Sequence, residues 1–250
     1  MKPAKSYIVF PLDVQNPDEA KALVALLADE VGMFKIGLEL FIRSGPDLVR
    51  WAAAAGSARI FLDLKLHDIP ITVKRAMAQI ADLGVFFTTV HCGESRAMLS
   101  AAVDAAAGKV HVLGVTVLTS VSPKDIEDAG YKNQYADNIR ELVMKKAAMA
   151  ADAGCSGVVC SGEEVRFVKE RFGPLFQAIT PGIRPLSQVV KGDDQSRVVT
   201  PKMAIERGAD YLVIGRPIRD AADPKAAARS IAMEIQDALE GLPHTCISPG

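Results

Sequence analysis

The sequence predicts an α/β fold of the (β/α)8 TIM barrel type. Eight short β-type runs alternate with alanine-rich helical segments, a pattern typical of repeated βα units and a parallel sheet. The chain has 250 residues, which is the usual length of a barrel closed by eight such units. A doubly wound open sheet is the alternative, but "PLDVQNPDEA" contains no glycine for a dinucleotide-binding turn. We therefore expect a single domain over residues 1–250, with a loosely held tail at 241–250.

The eight predicted strands follow one another at similar spacing. They are placed at 7–13, 33–37, 59–65, 85–91, 111–119, 157–161, 177–183 and 211–215. Clear helical segments occupy 16–30, 45–56, 95–108 and 138–154. Three further signals mark helix starts, because an N-cap residue precedes a first-turn proline at Asn16-Pro17, Ser122-Pro123 and Thr200-Pro201. Glycines stand where helices are expected to end, at Gly56, Gly84, Gly108, Gly154 and Gly208.

Composition argues against several classes of protein. The formal net charge of −1 gives no overall field that would favour nucleic acid or an anionic membrane. The four cysteines lack the spacing of a zinc or redox motif, so free thiols in a reducing compartment are expected. The first residues do not resemble a signal peptide, and no apolar run reaches the length of a membrane span. We expect a soluble cytoplasmic protein.

The stretch "FLDLKLHDIP", residues 61–70, breaks the usual burial pattern of a strand. Strand alternation places Phe61, Asp63 and Lys65 on one face, which ought to be apolar if it points into a core. Asp68 follows just beyond the strand. His67 is out of phase with the two charges, so a structural role is the better interpretation. Because barrel enzymes build their sites at the carboxyl ends of strands, the charges predict an active site here.

Other strand ends carry polar residues as well. These candidates are Asp13, Lys35, His91, Thr119, Ser120, Arg184, Gly215 and Arg216. A single strand-end acid or base is usually a helix cap or a solvated side chain. Charges of both signs that converge on one mouth are harder to explain by packing, since buried charge is costly unless it is paired. For His91, a structural role remains the better interpretation.

The last two strand ends predict a phosphate site. Barrels often bind phosphate with the loops after strands seven and eight. Gly215 allows backbone N–H groups to approach an anion, and Arg216 offers a bidentate fork. The alternative is that Arg216 caps a helix or pairs with Asp220. The long loop up to Thr200 has the composition of an active-site cover, from which Gln195 would reach the site.

The residues "DLKLHDI" resemble the Asp-x-Lys-x-x-Asp signature of the orotidine 5′-phosphate decarboxylase family. The resemblance covers nearly the whole chain, since "PLDV", "FKIG", "VTVLTS", "TPGIRP", "GDDQSR" and "GADYLVIGRPI" follow in the family's order. The signature alone is shared with sugar-phosphate decarboxylases and aldolases. Its combination with "TPGIRP" and "IGRPI" is similar to the bacterial orotidylate enzymes.

The resemblance implies a cofactor-free decarboxylase that acts on orotidine 5′-monophosphate and forms a homodimer. Lys65 would be the proton donor, and Asp63 would face the substrate carboxylate. Asp68 would come from the second subunit and join a charge network of Lys35, Asp63 and Lys65. Thr72 would reach the neighbouring subunit's ribose or phosphate.

The resemblance also implies how the rest of the nucleotide is bound. Asp13 and Lys35 would hold ribose hydroxyls, and Thr119 and Ser120 would contact the base. The phosphate end would be served by Arg184, Gln195 and Arg216. The sequence departs from the family at Ile71, where asparagine is usual, and in the turn "VHCGESRAM". Neither departure falls on a residue with a chemical role.

Elementary chemistry agrees with these roles. Loss of carboxylate from a ring carbon without an electron sink leaves a localised carbanion, and no marker of a pyridoxal or thiamine cofactor is present. A fixed ammonium beside that carbon would stabilise the charge and then donate a proton. A Mg²⁺ site of Asp13, Asp63 and Asp68 is disfavoured, because the lysines already supply positive charge.

Two other functions remain open on the sequence. One is a Mg²⁺-dependent decarboxylase or aldolase that acts on a keto-sugar phosphate. The other is a catalytically silent barrel that senses a nucleotide, although such a protein would not need so costly an array of charges.

Overall fold

Eight parallel strands close into a barrel in the computed structural model, which describes residues 2–56, 58–93, 95–185 and 199–242. Each strand pairs with the next along the chain, and the last pairs with the first. The strands are β1 (Ile8–Pro11), β2 (Met33–Gly37), β3 (Arg59–Leu66), β4 (Phe87–His91), β5 (His111–Val115), β6 (Gly157–Val159), β7 (Gln177–Thr180) and β8 (Tyr211–Val213). The predicted (β/α)8 barrel is confirmed.

Helices surround the barrel and connect its strands. They are α1 (Pro17–Leu27), α2 (Leu38–Ala54), α3 (Pro70–Ala81), α4 (Arg96–Ala106), α5 (Pro123–Asp128), α6 (Asn133–Asp137), α7 (Ile139–Asp152), α8 (Val165–Phe172), α9 (Pro201–Glu206), α10 (Arg216–Arg219) and α11 (Pro224–Glu240). The three predicted N-caps are confirmed, because the side chains of Asn16, Ser122 and Thr200 each accept a hydrogen bond from a first-turn backbone N–H.

Two layers of apolar side chains hold the barrel. A small inner cluster fills its lower part with one or two residues from most strands, among them Phe61, Phe87 and Tyr211. The rings of Phe61 and Phe87 meet edge to face at 6.0 Å. At the amino-terminal end, the ammonium of Lys2 lies 3.7 Å from the centre of the Tyr211 ring. The larger outer cluster packs the opposite strand faces against the helices. The base of the barrel is therefore filled, and its mouth is left for polar groups.

Several element boundaries differ from the prediction. Tyr7 closes a short 3-10 turn, Ala4–Tyr7, and is not part of β1. β5 ends at Val115 and not at 119, so Thr119 and Ser120 lie in the turn that follows. α2 starts at Leu38, upstream of the predicted 45–56 segment, and Gly45 joins its two halves with a φ of 64°. Glycine tolerates that left-handed conformation, which permits the kink.

Strand β3 is irregular at its carboxyl end. Leu62 pairs with Thr88 of β4, and the next pair is Leu66 with Val90. Between these pairs β3 has three residues and β4 has one. Lys65 lies inside this bulge with a φ of 50°, a left-handed conformation that is uncommon for lysine. The bulge therefore lies within the sequence that carries the predicted site.

The prediction of free cysteines can be checked for three of the four, which lie in the described part of the chain. Among the cysteines, Cys92, Cys155 and Cys160 are buried free thiols, as expected, and burial raises the pKa of Cys92 and of Cys155 to about 12.

Gln195 and the tail from 243 onwards lie outside the described residues. Within the described part of the chain, no helix is both long and apolar enough to span a membrane.

Candidate active site

Acids and lysines alternate in a row at the mouth of the barrel. Lys35 Nζ of β2 lies 3.1 Å from Oδ1 of Asp13 and 3.7 Å from Oδ2 of Asp63. Lys65 Nζ lies 2.8 Å from the same Oδ2 of Asp63. Asp63 is only 8% exposed, whereas Asp13 is open to solvent. The structure thus brings together four residues that the sequence predicted for the site, and it adds Asp13 to the predicted charge network.

Asp63 is the most enclosed charge of the row. Burial raises the pKa of its carboxyl, but the opposing effects of Lys35 and Lys65, together with two side-chain hydrogen bonds, outweigh burial and lower that pKa below its ordinary value. Asp63 is therefore ionised at neutral pH. The two ammonium groups share one carboxylate oxygen, so each is held by a fixed counter-charge in the barrel mouth.

The bulge in β3 is held by a residue that sequence reasoning missed. The hydroxyl of Thr89 in β4 accepts a hydrogen bond from the backbone N–H of Lys65 and donates one to Oδ1 of Asp63, both at 2.9 Å. Its neighbour Thr88 has the same side chain. No signal in the sequence separates the two threonines, because their difference depends on the bulge.

Asp68 and Thr72 lie apart from this row. Both are exposed, in the loop after β3 and the first turn of α3. The carboxylate of Asp68 accepts a hydrogen bond from the backbone N–H of Ile69 at 2.6 Å. Within the described residues of the chain, Asp68 forms no ion pair with Lys35 or Lys65. The side chains of Ile69 and Ile71 on either side are 63% and 49% exposed.

The remaining predicted binding residues lie at later strand ends. Thr119 and Ser120 follow β5, and Arg184 follows β7, where it is buried with its guanidinium donating to the carbonyl of Ile183. Gly215 is the N-cap residue of α10, and Arg216 is the exposed first residue of that helix. Each therefore lies beyond the carboxyl end of a strand, in a loop or at the start of a helix.

The alternative to a phosphate role for Arg216 was that it caps a helix or pairs with Asp220. In the structure the neighbouring Arg219 pairs with Asp220 at 2.7 Å. The same Arg219 also donates to the backbone carbonyl of Asp13 at 3.0 Å. Arg219 thus connects the short helix after β8 with the acid after β1, a contact that spans 206 positions and has no signal in the sequence.

Two histidines lie beside the charged row. The rings of His67 and His91 are 5.8 Å apart. His91 is partly buried at the end of β4, and burial together with the nearby His67, Lys146 and Lys65 lowers its pKa. His91 is therefore neutral at neutral pH. His67 is exposed in the loop after β3.

The fold and this row define the class of protein. It is a (β/α)8-barrel enzyme with lysines and carboxylates brought together at the ends of its first three strands. Residues 6–231 match the family described as orotidine 5′-phosphate decarboxylase / HUMPS. The chain belongs to this family.

Known proteins named orotidine 5′-phosphate decarboxylase are similar to the chain over most of its length. One from Desulfosudis oleivorans is 56% identical over 237 residues, which cover 94% of this chain and 95% of the relative. The crystal structure of the enzyme from Lactobacillus acidophilus has a TM-score of 0.77 at 36% identity, and covers 91% of this chain and 98% of that one. The structure from Pyrococcus horikoshii OT3 has a TM-score of 0.71 at 26% identity, and covers 92% and 99%.

Proposed function

We propose that this barrel converts orotidine 5′-monophosphate to uridine 5′-monophosphate and carbon dioxide, with Lys65 as the proton donor. It is a carboxy-lyase of pyrimidine nucleotide biosynthesis. The observation that carries the proposal is the placement of Lys65 Nζ 2.8 Å from an ionised, buried Asp63 at the barrel mouth. A carbanion that forms beside this ammonium would meet positive charge that is already in position.

The reaction uses one bond cleavage and one proton transfer. The bond between the ring carbon and its carboxylate breaks, carbon dioxide leaves, and the electron pair stays on the ring carbon. Lys65 gives a proton from Nζ to that carbon and becomes neutral, and it regains a proton from solvent. Asp63 faces the departing carboxylate, so the repulsion between the two anions is relieved as carbon dioxide leaves.

The charge row supports catalysis without a cofactor. The ammonium of Lys65 is held by Asp63 beside the position where the carbanion develops, so the site needs little reorganisation during the reaction. Lys35 also lies between Asp63 and Asp13, and in this proposal Asp13 and Lys35 bind the ribose hydroxyls. The same lysine thus connects sugar binding with the reacting end of the site.

The base and the phosphate are assigned to the later strand ends. Thr119 and Ser120 contact the base. The phosphate is bound by Arg184, Gln195, Gly215 and Arg216. Gln195 lies outside the described residues, and its role rests on the family resemblance. Binding energy from the phosphate, which is remote from the reacting carbon, can organise the charges for the chemical step.

A second subunit completes the site in this proposal. Asp68 joins the partner's row of charges, and Thr72 reaches the partner's ribose or phosphate. The exposure of Asp68 in its own chain supports this role, and so do the exposed apolar side chains of Ile69 and Ile71 on the same loop. A homodimer would cover this surface. We propose that the enzyme works in the cytoplasm, without a nucleic-acid or membrane partner.

The proposal is tested with purified protein that has been dialysed against EDTA. Incubation with orotidine 5′-monophosphate should lower the pyrimidine absorbance, release carbon dioxide and yield uridine 5′-monophosphate by chromatography. Lys65→Ala is the matched control and should be folded and inactive. Absence of turnover by the wild-type protein would overturn the function. Activity that requires added Mg²⁺, or that is seen only with a keto-sugar phosphate, would favour the sugar-phosphate alternative.

A further inference from the structure

The bulge in β3 creates a conformational problem at the proton donor. Lys65 has a φ of 50°, and a non-glycine residue keeps such a conformation only where its surroundings hold it. Its backbone N–H also lies where the regular pairing with β4 is interrupted between Leu62 and Leu66. A side chain from β4 must therefore replace the missing backbone partner if this conformation is to persist.

The hydroxyl of Thr89 supplies that partner and contacts Asp63 at the same time. The N–H of Lys65 can only donate and the ionised carboxylate of Asp63 can only accept. The hydroxyl must therefore accept from Lys65 and donate to Asp63, as the two distances of 2.9 Å allow. The hydroxyl is therefore an acceptor toward Lys65 and a donor toward Asp63, and the two roles cannot be exchanged.

This bond also decides how the carboxylate of Asp63 is shared. Oδ1 accepts a hydrogen bond from the hydroxyl of Thr89. Oδ2 faces both lysines, at 2.8 Å from Nζ of Lys65 and 3.7 Å from Nζ of Lys35. A carboxylate that could rotate freely would offer either oxygen to either ammonium. With Oδ1 held, the separation between Oδ2 and the donor nitrogen is fixed before the substrate binds.

Thr88 shows that these contacts are specific to one threonine. Both side chains are fully buried in β4. The hydroxyl of Thr88 has no hydrogen-bond partner among the described residues, while that of Thr89 has two. A buried threonine in this strand therefore does not by itself make these contacts. They depend on the hydroxyl at position 89.

We propose that Thr89 is a positioning residue for the decarboxylation, whose hydroxyl holds the backbone of the proton donor Lys65 and the carboxylate of Asp63 in register. This inference rests on the proposed function. In this proposal Thr89 acts through the two residues that it joins, Lys65 and Asp63. Small displacements of catalytic groups can lower turnover strongly, so loss of this bond should be visible in kcat.

The test compares three variants with the wild-type enzyme. Thr89→Val keeps the shape and removes the hydroxyl, and we expect kcat to fall about 10- to 100-fold while KM changes by less than about threefold. Thr89→Ser restores the hydroxyl and should bring kcat back to within about fivefold of wild type. Thr88→Val, the matched control, should leave kcat and KM unchanged.

Three results would overturn the inference. They are a Thr89→Val enzyme with wild-type kcat, a Thr89→Ser enzyme as slow as Thr89→Val, and a Thr88→Val enzyme with the same loss. Thermal unfolding of each variant identifies losses of kcat that come from misfolding. The kcat of Thr89→Ser then shows whether the loss in Thr89→Val comes from the missing hydroxyl or from altered packing.

A readout that does not need activity separates this inference from the proposed function. Amide hydrogen exchange at Lys65 should be faster in Thr89→Val than in wild type or Thr88→Val, because its N–H loses its acceptor. Should the wild type not decarboxylate orotidine 5′-monophosphate, the proposed function fails, and with it the catalytic part of this inference. Unchanged exchange at Lys65 in Thr89→Val would overturn the structural part by itself.

Discussion

The ammonium of Lys65 lies 2.8 Å from Oδ2 of Asp63, two residues earlier on the same strand. The pair is short because the bulge turns the backbone between them, and Lys35 approaches the same oxygen from the neighbouring strand. One oxygen of Asp63 thus faces two ammonium groups in the barrel mouth, and Asp13 is the second carboxylate beside Lys35. Removing the charge of Asp63 should affect both the stability and the chemistry of the site.

Asp63→Asn is expected to lower both kcat and stability. The amide cannot compensate Lys35 and Lys65, and lost hydrogen bonds to charged groups typically cost about 1.5–3 kcal/mol each before screening by solvent is considered. Urea unfolding and steady-state kinetics measure the two effects. The control is Asp18→Asn, which removes a solvent-exposed partner of Lys21. Equal stability of the two variants would contradict the compensating role of Asp63.

Arg216→Ala is expected to weaken catalysis only for substrates that carry the phosphate. With orotidine 5′-monophosphate, kcat/KM should fall about 10- to 100-fold, as for the loss of a charge-assisted hydrogen bond. With the phosphate-free nucleoside, the variant and the wild type should be alike. Arg166→Ala is the control, since Arg166 pairs with Glu170 on the exposed face of α8. Equal losses on both substrates would contradict a phosphate role for Arg216.

A mixture of Lys65→Ala and Asp68→Ala proteins is expected to regain activity that neither has alone. In a heterodimer with shared sites, one site carries both substitutions and the other carries neither. Random exchange of subunits in equal amounts should therefore restore about one quarter of the wild-type sites. Activity is measured after dissociation and reassociation. A mixture as inactive as its components would argue that Asp68 serves its own subunit.

His91 is expected to make the fold sensitive to mild acid. Burial and the neighbouring positive charges lower its pKa in the folded state, so the unfolded chain binds a proton that the folded chain does not. Stability should therefore decrease as the pH falls below about 6.5, the ordinary pKa of histidine. Melting temperatures between pH 8 and 5 should fall less steeply for His91→Asn than for wild type, with about 6.5 as the onset. If the melting temperatures of the two proteins fall equally with pH, His91 is not the source of the acid sensitivity.

Gly157→Ala is expected to destabilise the barrel. A Cβ at this position in β6 would lie 2.2 Å from the backbone carbonyl oxygen of Gln177, which belongs to the adjacent strand and cannot move freely. Overpacking of this kind typically costs about 1–3 kcal/mol. The control is Gly241→Ala, whose Cβ would have an ordinary contact of 3.5 Å. Denaturant midpoints measure both, and equal midpoints would contradict the steric argument.

The order of strands and the barrel itself could be predicted because each βα unit has local signals. Asn16, Ser122 and Thr200 begin helices with a cap that depends on adjacent residues alone. Exact ends were less predictable. The run 111–119 is rich in apolar and β-branched residues, yet β5 ends at Val115, because pairing with β6 ends there.

The candidate site was predictable where it depends on strand ends and not where it depends on register. Asp13, Lys35, Asp63 and Lys65 were found because parallel strands bring their carboxyl ends together. Thr89 and Arg219 were missed. The contact of Thr89 depends on a bulge that local alternation does not encode, and Arg219 reaches Asp13 from the other end of the chain.

The bulge has a consequence for how such a site can change during evolution. Three residues of β3 lie opposite one residue of β4, and Lys65 is among the three. A deletion of one codon in this segment would keep β3 paired with its neighbours but would turn every later side chain to the opposite face of the strand. The length of this segment therefore matters to the site as well as the identity of its charges. A search for lost or altered activity in related barrels should examine insertions and deletions here before substitutions.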